Sequence, residues 1–277
     1  MTVGWETYLE AEEAAGPLVP SKPPPCLHCR RQLQQLAPRR EGASGATADD
    51  LTAGFAEMES LLKRPQFAWG LRTKEIYAGT GHWTQAMIDA GIPTAESVEL
   101  YEAPLEQLGP REAHDILRPA VREQLLLEAG AAPGPGEPNV YQMAPPCTTH
   151  CAWNLKNGGT RTFVKPDGDP SCPAEVDGNT LSDFSAQLAD RLHDNDREWM
   201  IENPAPDGRY PKIWDRPRYQ ALKKRTGAQV IALAQCEWGL GPPDEPEKRY
   251  QKNTFWLVSR GVYPYALALA RRRSGQH

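Results

Sequence analysis

Cys147 stands directly behind Pro145 and Pro146, at the end of an apolar run that begins at Val140. Proline cannot donate to a sheet ladder, so the pair closes a strand and presents the thiol at its C-terminal end. In open α/β sheets that end is where chemistry gathers. A thiolate held there is a nucleophile; the plainer reading is a buried structural thiol or a degenerate site. Cys151, four residues on, reads as structural, and Cys236 as core.

A second group lies upstream. Ala78-Gly79-Thr80-Gly81 separates a strand expected over 71–77 from a helix expected over 84–90, which Gly91 stops. Strand, glycine turn and helix form the first unit of a nucleotide-binding α/β domain, because glycine lets the backbone approach a ligand where a Cβ would clash. Glu99 falls 18 residues after Gly81, on a strand expected over 96–101. A carboxylate there accepts from ribose hydroxyls, or is a solvated strand end. Asp115-Ile116 has two readings as well, a contact to an adenine amino group or plain surface.

The other elements must position these groups. Leu51, Phe55, Met58, Leu61 and Leu62 recur at helical spacing. Val121, Leu125 and Leu126 mark a helix over 119–129, and Phe184, Leu188 and Leu192 another over 181–191. Residues 199–201 form a short buried strand ending in Glu202-Asn203-Pro204; further strands are expected over 228–235 and 250–258, with a final helix over 266–273. Residues 148–180 show little periodicity and three turn signals, Asp177-Gly178-Asn179 among them. A loop of that length suits a lid. Residues 210–219 mix basic and aromatic side chains in a proline-rich stretch, suited equally to stacking on bases and to a packed crossover. His82 and His150 lie near these groups and receive no role.

The 277 residues carry 27 Pro and 23 Gly, so long connections are expected. Residues 1–48 read as a flexible, proline-rich arm, and 49–277 as one α/β domain with helices on both faces of a mainly parallel sheet. Within the arm, Cys26-Leu27-His28-Cys29 has the spacing of half a zinc site, but no second pair follows; unpaired thiols are the alternative, and no metal is expected. A net charge of -5 repels a phosphate backbone overall. No apolar run approaches the roughly 18 residues of a membrane span. Six scattered cysteines do not form a disulfide framework, and with no signal-peptide pattern an intracellular site is expected.

Taken together, these residues resemble the DNA cytosine-5 methyltransferases, within the S-adenosylmethionine-dependent methyltransferases of Rossmann-like fold. Ala78-Gly79-Thr80-Gly81 resembles the family's methionine-binding turn, Glu99 its ribose acid, and Asp115-Ile116 its adenine contact. Pro145-Pro146-Cys147 matches the nucleophile motif, and Glu202-Asn203 the first two residues of Glu-Asn-Val. The stretch 250–256 resembles the strand of small, phage-like members in which a basic residue, here Lys252, faces the base. The set keeps the family's order across about residues 70–260.

The resemblance implies Cys147, Glu202, Asn203 and Lys252 as catalytic residues. It implies Tyr77, Ala78, Gly79, Thr80, Gly81, Glu99, Leu100, Asp115, Ile116 and Pro145 as the S-adenosylmethionine site. The thiolate would add to cytosine C6, and Glu202 would hold N3 and the exocyclic amine as charge develops. Cytosine-containing DNA, single-stranded DNA included, is the implied partner, with a nuclear or nucleoid location. Thr148 stands where the family carries glutamine, and Pro204 where it carries valine. Residues after 260 are too few for the family's target-recognition domain, so the expectation is either a minimal enzyme or one that takes target recognition from a protein partner. The alternative is a catalytically silent methyltransferase-fold protein that binds nucleic acid or protein. Adenine amino-methylation is disfavoured, since it wants Asp/Asn-Pro-Pro-aromatic and here Ala144 and Cys147 hold the outer positions.

Overall fold

The computed structural model describes residues 70–79, 81–89, 91–99, 111–234, 253–263 and 266–267. The expected arm, the helix around Leu51 to Leu62, Cys26, Cys29 and Cys236 lie outside the described residues, as do Thr80, Leu100 and Lys252.

In chain order the elements are β1 (Thr73–Ile76), α1 (His82–Asp89), β2 (Ser97–Glu99), β3 (Arg111–Ala113), α2 (Pro119–Gly130), β4 (Val140–Met143), α3 (Pro173–Asp194), β5 (Glu198–Pro204), α4 (Pro217–Thr226), β6 (Gln229–Ala234) and β7 (Asn253–Val258). Short 3-10 turns occupy Thr148–His150, Ala152–Leu155 and Ile213–Asp215. Proline opens α2, α3 and α4, where its missing N–H costs nothing and its fixed φ suits the helix. Gly227 ends α4 at φ 65, a left-handed cap that glycine adopts without strain.

The seven strands lie in the order β3-β2-β1-β4-β5-β7-β6. β1 to β5 are mutually parallel, and β7 runs antiparallel between β5 and β6. The chain therefore steps outward from β1 to β3, then crosses to the other side of β1 for β4 and β5. That reversal opens a crevice at the carboxyl ends of β1 and β4, the switch point at which doubly wound sheets bind ligands. The α/β, Rossmann-like class expected from sequence is borne out.

Side chains alternate across the sheet with the period of two that a pleated strand imposes. Tyr141, Met143, Trp199, Ile201 and Leu257 face one cluster with Leu125, Phe184, Leu188 and Leu192. Val140, Val258, Ile231 and Leu233 face the other with Val262 and Ala266. β1 is buried along its whole length although it reads Thr-Lys-Glu-Ile. Buried charge needs a partner, and both find one. Lys74 Nζ donates to the Glu128 carboxylate at 3.0 Å, and Glu75 Oε2 accepts from Thr84 N at 3.0 Å and Thr84 Oγ1 at 2.6 Å.

Four expectations are corrected. α3 begins at Pro173, eight residues before the expected start, and Asp177-Gly178-Asn179 is helical rather than a turn. Gly178 serves there for close approach: an added Cβ would overlap Thr149 Oγ1. The stretch 210–219 is not all loop, since its last three residues open the helix Pro217–Thr226, and 111–113 pair as an unanticipated strand, too short for an alternating pattern to show. β5 ends at Pro204, as its sequence pattern predicts, because its last residue needs no N–H at the sheet's end.

Candidate active site

Register brings the singled-out residues to one edge. Val98 pairs with Ile76, Ile76 with Met143, and Met143 with Ile201. Glu99, Tyr77, Ala144 and Glu202 therefore leave that row side by side, and Asp115 follows β3 on the same edge. Groups distant in sequence are assembled by strand order alone.

The glycine turn is held from behind. Gly79 and Gly81 take φ values of 54 and 76, and Tyr77 takes 62, a left-handed conformation that costs a non-glycine residue. Tyr77 N and Ala78 N both donate to Val98 O, at 2.9 and 3.2 Å, and Gly81 N donates to Ala78 O at 2.8 Å. The Tyr77 hydroxyl donates to Leu181 O at 2.9 Å and accepts from Ser185 Oγ at 3.2 Å, which ties the turn to α3; burial pushes its phenol pKa up. Thr84 is the third residue of α1, so Glu75 caps one of the helix's orphan N–H groups from within β1. The sequence reading passed over Glu75. Its only signal was a charge inside a strand.

Glu99 reaches across to accept from Gly79 N at 2.7 Å. Asp115 Oδ1 accepts from Leu117 N at 2.9 Å, closing a tight turn after β3. Ile116 is core, and its carbonyl accepts from Arg122 at 2.8 Å. The two carboxylates thus sit at neighbouring strand ends, each oriented by a backbone N–H. Asn203 is buried, and its Nδ2 donates to Pro145 O at 2.8 Å, bracing the turn that carries Cys147 against β5. Cys147 is half-buried and opens the Thr148–His150 turn, its carbonyl accepting from His150 N at 2.8 Å. Glu202 is half-buried opposite Trp256. Asn253, next to Lys252, begins β7 on this same edge, two pairs from Asn203 opposite Phe255.

The loop after Cys147 is not the loose lid its turn signals suggested. Arg161, with no side-chain exposure, donates through Nε to Thr149 O at 2.7 Å and through Nη2 to Thr149 Oγ1 at 3.2 Å and Glu175 O at 3.1 Å. Its Nη1 donates to Pro166 O at 2.7 Å and Asn179 Oδ1 at 2.8 Å. Glu175, equally buried, accepts from Asn154 Nδ2 at 2.8 Å and Thr160 N at 2.9 Å. Against the cost of burial, hydrogen bonds from the Thr160 hydroxyl, Thr160 N and Asp169 N, with the charge of Arg161, hold its pKa low. His150 is fully buried with Nδ1 3.3 Å from Thr149 Oγ1 and no partner for Nε2. Burial, then the charges of Arg161, Arg216 and Lys212, push its pKa well below the usual imidazole range, so it is neutral. Arg161 and Glu175 had no sequence signal, being 14 residues apart in a stretch without periodicity. Among the described residues no group of three or more His, Cys, Asp and Glu side chains could hold a metal, and no helix is long and apolar enough to cross a membrane.

No protein-family model matches the chain, and no curated protein matches it significantly. Solved structures do match. The S. pombe Dnmt2 methyltransferase shares 12% identity at a TM-score of 0.39, covering 68% of this chain and 49% of its own. This chain therefore spans about half that protein's length. A SAM-dependent methyltransferase from Archaeoglobus fulgidus shares 12% at 0.36, covering 76% and 93%. Magnesium protoporphyrin IX methyltransferase from Synechocystis, with bound SAM, shares 10% at 0.34, covering 85% and 91%. Likeness at that level carries no argument; the fold rests on strand order and register.

Proposed function

We propose that the chain is an S-adenosylmethionine-dependent methyltransferase acting on C5 of cytosine in DNA through a covalent adduct at Cys147. The observation that carries the proposal is the meeting of four groups at one switch point: the Gly79/Gly81 turn, Glu99, Pro145-Pro146-Cys147 and Glu202-Asn203.

The residues fit the cofactor. Gly79 turns at φ 54 with nothing within 4 Å of where a Cβ would stand, leaving bare backbone beside the turn. Glu99 and Asp115 offer carboxylates for ribose hydroxyls and an adenine amino group. S-adenosylmethionine supplies there an electrophilic methyl group on a sulfonium. Cytosine C5 is too weak a nucleophile to take it unaided. Addition of the Cys147 thiolate to C6 places electron density on C5, and Glu202, bonded to N3, stabilises the charge as the C6–S bond forms. Asn203 keeps the Cys147 turn in place through Pro145 O. C5 would then take the methyl group, leaving the sulfonium as a neutral thioether, and loss of the C5 proton to solvent would expel the thiolate and restore the aromatic ring, now methylated. Lys252 would face the base.

The target base must leave a duplex stack or come from a single strand. DNA is the proposed substrate, a separate protein the proposed source of target recognition, and a nuclear or nucleoid site follows. Thr148 and Pro204, which replace the family's glutamine and valine, favour a second reading: a silent methyltransferase fold that binds nucleic acid or protein. Tritiated S-adenosylmethionine separates the two. Incubated with single- and double-stranded oligonucleotides, the protein should yield labelled 5-methylcytosine after nuclease digestion, and Cys147→Ala should yield none. Label on adenine, or undiminished product from Cys147→Ala, would overturn the proposal; cofactor binding without transfer would support the silent reading.

A further inference from the structure

We infer that Arg161 is a positioning residue for Cys147, acting through Thr149 and the close approach of Gly178. Cys147 opens a single 3-10 turn, and a turn that short has little stability of its own. Its geometry must come from outside. Arg161 grips the turn at two points of one residue, the Thr149 carbonyl and hydroxyl, from a side chain with no solvent exposure. Its remaining donors end on Pro166 O, Asn179 Oδ1 and Glu175 O, the last two on the first turns of α3. The guanidinium thus bolts the Cys147 turn to a 22-residue helix.

Two further observations show that the fit is tight. Gly178 leaves α3 bare where Thr149 Oγ1 meets it. Glu175 compensates the buried charge at 3.8 Å and binds Asn154 and Thr160, so both ends of the 154–160 segment are fixed with it. A buried, fully bonded arginine has lost its alternative positions. The turn it holds is therefore preorganised, as a nucleophile attacking one ring carbon requires. The significance of this brace rests on the proposed role of Cys147, but the test does not.

The test is alkylation of Cys147 by iodoacetamide, followed across pH by peptide mass spectrometry, with thermal unfolding measured in parallel. It needs neither cofactor nor DNA. Thr149→Val removes the hydroxyl, Thr149→Ser restores it, and Gly178→Ala pushes α3 against the turn. The expected result is a shift in the Cys147 rate and pH profile of about tenfold in Thr149→Val and Gly178→Ala. Thr149→Ser should return both to wild type, with Cys172 modified at an unchanged rate throughout. Wild-type Cys147 kinetics in Thr149→Val and Gly178→Ala would overturn the inference. So would changes that follow lost thermal stability and appear equally at Cys172. Absence of methyl transfer by the wild type would sink the proposed function alone, because the alkylation comparison still decides the brace.

Discussion

Glu75 anchors the helix that follows the glycine turn, and replacing it gives a graded prediction. Its Oε2 accepts both the Thr84 amide and the Thr84 hydroxyl, and neither residue is more than 5% exposed. Hydrogen bonds to a charged group contribute about 1.5–3 kcal/mol each, and loss of a helix cap costs about 0.5–2 kcal/mol. The two bonds share one oxygen and do not add fully, so Glu75→Ala should cost roughly 2–4 kcal/mol. For a domain of this size that lowers Tm by roughly 5–15 °C. Glu75→Gln keeps an acceptor oxygen and loses only the charge, for about 1 kcal/mol. Thr84→Val loses the hydroxyl alone and should fall between them. Calorimetric melts of the three variants and their double mutants supply the assay. A Glu75→Ala protein melting within about one degree of wild type would refute the cap, and so would a coupling energy near zero in the double-mutant cycle.

Glu99→Gln should weaken S-adenosylmethionine binding about 10- to 100-fold by calorimetric titration, since a charged acceptor at the glycine turn is lost, while Tm moves little. Asn203→Ala leaves the Pro145 carbonyl without its donor, at about 1–3 kcal/mol; adduct formation should slow far more than cofactor affinity falls. His150 supplies a pH dependence. Its folded pKa is depressed, so the unfolded chain binds more protons as pH falls. The folded state is unaffected above about pH 6.5 and loses up to about 1.4 kcal/mol per pH unit below it. Urea melts between pH 5 and 7.5 should show that slope in wild type and a flatter one in His150→Phe.

How much of this was legible beforehand follows from which interactions are local. The glycine turn, the proline-closed strand at Cys147 and the Glu202-Asn203 strand end are short-range patterns, and all three lie at the same edge of the sheet. Their convergence is not local; it depends on strand order, which no single pattern encodes. Gly178 shows the opposite failure. A glycine beside two polar residues reads as a turn, yet here it is a helical residue whose missing Cβ makes room for Thr149. Arg161 and Glu175 each look like surface charge in sequence, because burial of both depends on their meeting. Glu75 was hidden for the same reason: its partner, Thr84, lies beyond the glycine turn.

The most direct test of the central claim is trapping with 5-fluorocytosine. Fluorine at C5 blocks the final elimination, so an enzyme that has added its thiolate to C6 stays attached. With S-adenosylmethionine and 5-fluorocytosine oligonucleotides, intact mass spectrometry should show protein joined to methylated oligonucleotide. Peptide mapping should place the bond at Cys147, and Cys147→Ala should abolish it. An adduct at Cys151 or Cys172, or none at all from a protein that binds both cofactor and DNA, would contradict the account.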